Sequence, residues 1–242
     1  MRKVVTPYSD SVKGKKEQVA EMFDNIAPKY DFLNHFLSFG IDKLWRRNAI
    51  RLLIKKGPGT ILDVATGTAD FAIESLKTGA EKIVGIDISE EMLSFGRVKI
   101  TKMGLANRIT LQQGDAEALA FPDESFDAVT VAFGVRNFED LSQGLSEIYR
   151  VLKPNGMICV LEFSKPTIFP IKQFYGFYSF YILPFLGRLF SKDNSAYTYL
   201  PESVENFPDG ADFLSRLTQS GFTNTKQYRQ TFGVATIYTG VR

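Results

Sequence analysis

The run Ile61-Leu62-Asp63-Val64-Ala65-Thr66-Gly67-Thr68-Ala69-Asp70 decides how the rest of the chain is read. Its first half is apolar, the material of a buried strand, and its second half is small and polar before a helical spacing begins at residue 70. Strand, tight turn and helix in that order open an α/β sheet of the nucleotide-binding type, where a ligand sits in the crevice outside the carboxyl ends of the strands. Gly67 lets backbone pass close to such a ligand, and amides at the helix start suit an anionic group such as a carboxylate.

Outward from this unit, apolar runs at 82–88, 109–113, 126–133 and 157–163 alternate with amphipathic stretches at 90–103 and 141–152. That is the rhythm of a doubly wound, mainly parallel sheet. Residues 224–230 and 234–240 are separated only by Thr231, Phe232 and Gly233, too short a link for a helical crossover, and should pair as an antiparallel hairpin. Upstream, helical spacing is carried by Val19, Met22, Phe23, Ile26 and Tyr30, with an interruption expected at Pro28, and again by Leu44, Trp45, Ile50 and Leu53. The expectation is a single α/β domain with a Rossmann-like, doubly wound sheet. It comprises an N-terminal helical cap (1–57), a cofactor-binding core (58–164), an aromatic lid insertion (165–209), and a last helix with the hairpin (210–242).

Composition narrows the partners. With 44% apolar and 23% charged residues in 242, the chain is that of a globular protein. A net charge of +2, without a run of like charges, leaves no field for a polyphosphate, so no nucleic acid is expected. The single cysteine, Cys159, sits in an apolar run and cannot form an internal disulfide, which fits a reducing cytoplasm. Residues 1–16 lack the apolar core of a secretion signal. The most apolar stretch, 174–190, is interrupted by Gly176, Pro184, Gly187 and Arg188 and falls short of the roughly 20 residues that span a bilayer. Its aromatic residues Phe174, Tyr175, Phe177, Tyr178, Phe180, Tyr181, Phe185 and Phe190 offer surface to an apolar tail, or to a membrane in transient peripheral contact.

The chemistry is concentrated at strand ends. Asp87 ends the second strand 20 positions after Gly67, where a carboxylate can accept hydrogen bonds from both hydroxyls of a ribose, with Ile88 following it. Its alternative employment is to cap the helix at 90–103, for which Ser89 is the better candidate. After the third strand, Gly114-Asp115-Ala116 pairs an acceptor for an adenine amino group with a small residue that leaves a flat floor, and Phe126-Asp127 enters the fourth strand. A dinucleotide site requires Gly-x-Gly-x-x-Gly, but Ala65, Gly67 and Ala69 stand at the glycine positions, so a pyrophosphate site is poorly made. These spacings resemble the class I methyltransferase fold. That resemblance implies S-adenosylmethionine as methyl donor, held by Asp63, Ala65, Gly67, Thr68, Asp87, Ile88, Asp115 and Ala116.

The resemblance narrows at Met22-Phe23-Asp24-Asn25-Ile26-Ala27-Pro28-Lys29-Tyr30-Asp31-Phe32-Leu33-Asn34 and at Leu37-Ser38-Phe39-Gly40-Ile41-Asp42 with Leu44-Trp45-Arg46-Arg47. It continues through Phe133-Gly134-Val135-Arg136-Asn137, Leu161-Glu162-Phe163-Ser164-Lys165-Pro166, Tyr197-x-Tyr199-Leu200-x-Glu202-Ser203 and Phe232-Gly233-Val234-Ala235. Over nearly the whole chain these runs resemble the ubiquinone/menaquinone biosynthesis C-methyltransferase family. The resemblance implies C-methylation of a prenylated quinol, demethylmenaquinol ahead of 2-polyprenyl-6-methoxy-1,4-benzoquinol. It also puts Thr68, Asp87, Asp115 and Ala116 on the cofactor and gives Arg136 a catalytic role. Ala132 stands where some members carry a serine and is left out of the site.

Methylating an aromatic carbon needs an ionised quinol and in-line alignment with the sulfonium, so no metal is expected. Arg136 is too basic to act as a free base, but its charge favours the phenolate and can polarise a water that takes the proton, with Asn137 orienting substrate or water. The structural alternative has Arg136 bonded to nearby carbonyls or to Asp140. Tyr30 and Asp31 are the candidate substrate contacts, while His35, the sole histidine, is the default general base by chemistry but lies on an early helix. Two rival readings are a methyltransferase for another small molecule (a sterol, a phenol oxygen or an amine) and a non-catalytic cofactor-binding protein that organises quinone precursors.

Overall fold

The structure is a computed structural model that describes residues 5–182 and 195–242. Pro184, Phe185, Gly187, Arg188 and Phe190 of the expected lid lie outside the described residues.

Seven strands form one sheet: β1 (Thr60–Val64), β2 (Lys82–Asp87), β3 (Ile109–Gln113), β4 (Phe126–Ala132), β5 (Leu152–Phe163), β6 (Thr223–Gln230) and β7 (Ala235–Val241). Their order is β3-β2-β1-β4-β5-β7-β6. The first five run parallel, and β7 is antiparallel to both β5 and β6, as expected of the closing hairpin. The order reverses beside β1, whose chain neighbour β2 lies on one side and β4 on the other. The crevice opens at that switch point.

The inner strands read as near-continuous apolar runs because both faces are covered. One face packs Ile61, Ile83, Ala128, Cys159 and Ile237 against Trp45, Ile50 and Leu53 of α2 (Ile41–Ile54). The other packs Leu62, Val129, Ile158 and Tyr238 against Leu145 and Ile148 of α5 (Leu141–Val151) and Phe213 and Leu217 of the helix Ala211–Gln219. Between these lie α3 (Asp70–Ser75), extended by a 3-10 turn at Leu76–Thr78, and α4 (Glu90–Lys102). The Ser89 hydroxyl caps α4 by accepting from the Met92 amide at 3.1 Å, the role anticipated for it. After β5 come α6 (Ile171–Phe177), a π turn at Tyr178–Ile182, α7 (Ser195–Asn206) and α8, the Ala211–Gln219 helix already named.

Two local expectations need correction. Pro28 does not interrupt the first helix: α1 runs unbroken over Lys15–Leu37. A proline removes one helical hydrogen bond, but contacts before and after it hold the path, with Val19 and Met22 packed against Ala196 and Tyr199 of α7 on one side and Asp31 bonded to Thr68 and Lys99 on the other. The fifth strand begins at Leu152 rather than Met157, because Leu152 already pairs with Phe126 ahead of an irregularity in the register. Among the described residues no helix is long and apolar enough to cross a membrane.

Candidate active site

The crevice at the switch point is walled by strand ends. Ala65 and Gly67 follow β1, Asp87 and Ile88 end and follow β2, Gly114, Asp115 and Ala116 follow β3, and Ala132, Phe133, Gly134 and Asn137 end and follow β4. From the open side α1 closes it with Lys16, Val19, Phe23 and Tyr30, leaving about 70 Å³. The backbone is strained at the same spot. Ala65 (φ 53°), Ala69 (φ 70°) and Phe133 (φ 58°) lie in the left-handed region beside Gly67 (φ 55°), where a side chain costs about 1–2 kcal/mol. Such strain gathers at functional sites. Gly134 is demanded by a close approach, since a Cβ there would stand 2.6 Å from the Ala65 Cβ.

Asp87 braces this arrangement. Its Oδ2 accepts from the Gly67 amide at 2.8 Å and its Oδ1 from the Ser89 amide at 3.0 Å, so the carboxylate tightens the β1 turn while facing the crevice. Burial pushes it up to about 6, against the pull of those amides and with the Asp24 carboxylate adding to the rise. Asp24 in turn accepts from the Ser89 hydroxyl at 2.6 Å and ties α1 to the start of α4. Asp115 is held by Lys16 of α1, whose Nζ lies 2.6 Å from its Oδ2 and 3.0 Å from Glu117 Oε2. An ammonium thus occupies the acceptor that the sequence reading reserves for an adenine amino group.

Asp63, Thr68 and Asp31, all assigned from the sequence, line neither the crevice nor its neighbouring cavity. Asp63 is buried beneath the turn, accepting from the Thr66 and Thr130 hydroxyls, each at 2.6 Å, and burial raises it to about 6. The Thr68 hydroxyl donates to Asp31 Oδ1 at 2.5 Å and accepts from Lys99 Nζ at 3.1 Å. Lys99 also pairs with Asp31 at 2.6 Å and Asp70 at 2.7 Å. His35 belongs to the same support: its Nδ1 is 2.9 Å from Asp42 Oδ2 and its Nε2 3.5 Å from Asp70 Oδ2, and Arg46 pairs with Asp42. Burial would raise Asp42, but the Ser38 hydroxyl and the Arg46 and His35 charges hold it below the usual carboxylate range. This polar layer pins α1, α2, α3 and α4 under the turn. The amides of Thr66, Gly67 and Ala69 are already engaged within the protein, so the expected anion cradle does not come from these three.

A second, apolar cavity of about 380 Å³ adjoins the crevice. Phe23, Tyr30 and Phe133 line both spaces and form the wall between them. Phe39 (80% exposed) and Phe174 (70% exposed) mark the mouth of the cavity, and Trp45 and Phe163 lie deeper. Arg136 and Asn137, on the 3-10 turn after β4, divide between the two spaces, the arginine facing the cavity and the asparagine the crevice. The Arg136 Nη1 donates to Glu162 Oε1 at 2.9 Å and to the Phe133 carbonyl, and Nε reaches the Ser203 hydroxyl at 3.3 Å. Asp140 is not its partner, because that carboxylate caps α5 through the Ser142 and Gln143 amides. Asn137 Oδ1 accepts from the Tyr199 hydroxyl at 3.1 Å. Burial raises the hydroxyls of Tyr30, Tyr175 and Tyr199 to about 12, so all three stay protonated at neutral pH.

The sequence reading did not assign Lys16, Phe23, Phe133 or Glu162 to the site. Glu162 carried a signal, a lone charge within an otherwise apolar strand run. Lys16 carried none, since its partner Asp115 lies 99 positions away.

The strand order, the antiparallel edge hairpin and the crevice at the switch point are those of the class I methyltransferase fold. Solved structures share that fold. A methyltransferase of Thermotoga maritima described as S-adenosylmethionine-dependent superposes with a TM-score of 0.64 at 19% identity, covering 91% of this chain and 98% of that one. A putative O-methyltransferase of Nostoc punctiforme gives 0.67 at 15% identity, over 96% and 64%. The chain belongs to the ubiE/COQ5 methyltransferase family, which it matches over residues 11–242. A demethylmenaquinone methyltransferase of Bacteroides fragilis is 50% identical over 239 residues, 98% of this chain and 97% of that protein. A ubiquinone/menaquinone biosynthesis C-methyltransferase of Geobacter sulfurreducens is 48% identical over 238 residues, 98% and 92%.

Proposed function

We propose that the chain methylates a ring carbon of a prenylated quinol, with demethylmenaquinol the first choice, using S-adenosylmethionine as the methyl donor. The observation that carries this reading is the apolar cavity of about 380 Å³ behind a shared aromatic wall, with Arg136 the one charged side chain among its described lining residues. Such a space suits a lipid-tailed aromatic ring whose hydroxyl must ionise. The names of the relatives from Bacteroides fragilis and Geobacter sulfurreducens point to quinone rings, and the former to demethylmenaquinone.

The groups lining the crevice suit the donor's nucleoside, for which α1 would have to move aside. Asp87 presents a carboxylate for the ribose hydroxyls, and Ala116 and Gly114 keep the floor beside Asp115 low for adenine. When bound, S-adenosylmethionine would supply an electrophilic methyl group on sulfur for the quinol's ring carbon. Arg136 holds its permanent charge at the cavity wall, where it favours the phenolate. The neutral Tyr30 hydroxyl, at the boundary of the two spaces, is a donor for the same oxygen. Phe23 and Phe133 exclude water from the transfer path. Exposed Phe174, Phe177, Phe180 and Tyr181 beside the mouth suit a lipid surface, from which the tail need not fully withdraw in a cytoplasmic, peripherally bound enzyme.

Incubation with methyl-labelled cofactor and each quinol class, with the label located by mass spectrometry, tests the reading. Label on a ring carbon of the naphthoquinol is expected. Label only on the benzoquinol ring would reassign the substrate, and cofactor binding without transfer to either would favour the carrier role.

A further inference from the structure

We infer that Glu162 is a positioning residue for Arg136, holding Nη1 of the guanidinium so that Nη2 is presented to the quinol oxygen. The inference rests on the proposed quinol reaction and adds a residue to it. An arginine offers five N–H donors in a rigid planar fork, so fixing two of its nitrogens fixes the direction of the third. In Arg136 two of the three nitrogens are engaged, with Nη1 shared between Glu162 Oε1 at 2.9 Å and the Phe133 carbonyl, and Nε directed at Ser203 Oγ at 3.3 Å. The two N–H groups on Nη2 have no protein partner among the described residues, and the side chain lines the cavity.

Glu162 is fully buried and does not line the cavity, so it acts through the arginine rather than on substrate. It is itself fixed. Oε1 also accepts from the Phe163 amide at 2.9 Å and Oε2 from the Arg136 amide at 3.4 Å, and its backbone sits in β5 opposite Thr236 of β7. The Phe163 ring supports the guanidinium from below, its centroid 5.6 Å from Cζ. Lys15 Nζ clamps the same turn from outside by donating to the Arg136 carbonyl at 3.1 Å and the Phe138 carbonyl at 2.7 Å. A carboxylate placed only to neutralise a buried cation would not need to grip both the guanidinium and the amide of one arginine.

Steady-state kinetics of Glu162→Gln, Glu162→Ala, Arg136→Ala and the Glu162→Ala/Arg136→Ala double variant test this. Glu162→Gln keeps an acceptor at the Oε1 position and should retain most of kcat. Glu162→Ala should lose about 100-fold, as a misplacement near 1 Å costs, approaching Arg136→Ala, and the double variant should be no slower than Arg136→Ala. The cofactor KM should stay unchanged throughout. Because the aligned cation favours the phenolate, the acid limb of the kcat profile should move to higher pH in Glu162→Ala and Arg136→Ala but not in Glu162→Gln. If Glu162→Ala does not fold, Glu162→Asp, one methylene shorter, should lower kcat with the cofactor KM intact. Wild-type kcat in Glu162→Ala or Glu162→Asp, or losses that multiply in the double variant, would overturn the inference. No transfer by the unaltered protein would defeat the quinol reading instead. The guanidinium would then be read from the absorbance of a bound nitronaphthol, whose ionisation the wild type and Glu162→Gln should shift to lower pH and Glu162→Ala should not.

Discussion

Asp87 is under opposing demands. To accept from ribose hydroxyls it must be ionised, yet burial raises it to about 6. On the proposed assignment the hydroxyls bond the charged form, so cofactor affinity would be full above that value and lost as pH falls through it. Calorimetric titration should therefore show tight binding at about pH 8 and weak binding at about pH 5. Asp87→Asn should weaken binding at neutral pH by the about 1.5–3 kcal/mol of one charge-assisted bond and flatten the dependence; a flat profile in the unaltered protein would remove Asp87 from the cofactor. Gly134 makes a steric demand. A methyl there meets the Ala65 Cβ at 2.6 Å, and since alanine has no rotamer to yield, the strained β1 turn must move. Gly134→Ala is expected to cost about 1–3 kcal/mol in thermal or urea unfolding and to weaken cofactor binding with it. Stability and affinity both unchanged would mean that the two turns are not rigidly apposed.

Among the elements, α1 is the one whose position sets access. The crevice under it holds about 70 Å³, against about 300 Å³ or more for ordinary small-ligand sites, so on the proposed reading α1 would have to lift for the nucleoside to enter. Lys16 to Asp115, Asp24 to Ser89 and Lys99 to Asp31 hold it down. Lys16→Ala should speed cofactor association in stopped-flow measurements, because the adenine amino group no longer competes with an ammonium for Asp115. Slower association would mean that Lys16 recruits the ligand rather than guarding the site. The elements also show what was legible beforehand. The parallel strands were readable because strands buried on both faces are apolar throughout, and the crevice residues Ala65, Gly67, Asp87, Ile88, Asp115 and Ala116 were readable because they lie at strand ends. The unbroken course of α1 through Pro28 was not, since packing across the chain overrode a local rule. Neither was the layer joining Asp31, His35, Asp42, Thr68, Asp70 and Lys99, which is assembled from four helices and the β1 turn.

At the scale of the whole molecule, the crevice, the apolar cavity and the exposed rings form a succession. The crevice adjoins the apolar cavity across Phe23, Tyr30 and Phe133, and Phe39 and Phe174 mark the cavity's mouth beside the exposed Phe177, Phe180 and Tyr181. A tailed quinol fits that succession with its ring inward and its tail towards lipid. Flotation with anionic liposomes should carry a fraction of the protein upward, and Phe174→Ser/Phe177→Ser should reduce it without changing cofactor binding; a protein wholly soluble with and without quinol would confine the aromatic face to packing. The most direct measurement is a crystal structure with S-adenosylhomocysteine and a methylated naphthoquinol bound together. The sulfur should lie at the Phe23–Tyr30–Phe133 boundary facing the ring carbon, with the sugar on Asp87 and a quinol oxygen on Arg136. A nucleoside bound elsewhere, or a quinol outside the apolar cavity, would contradict the account.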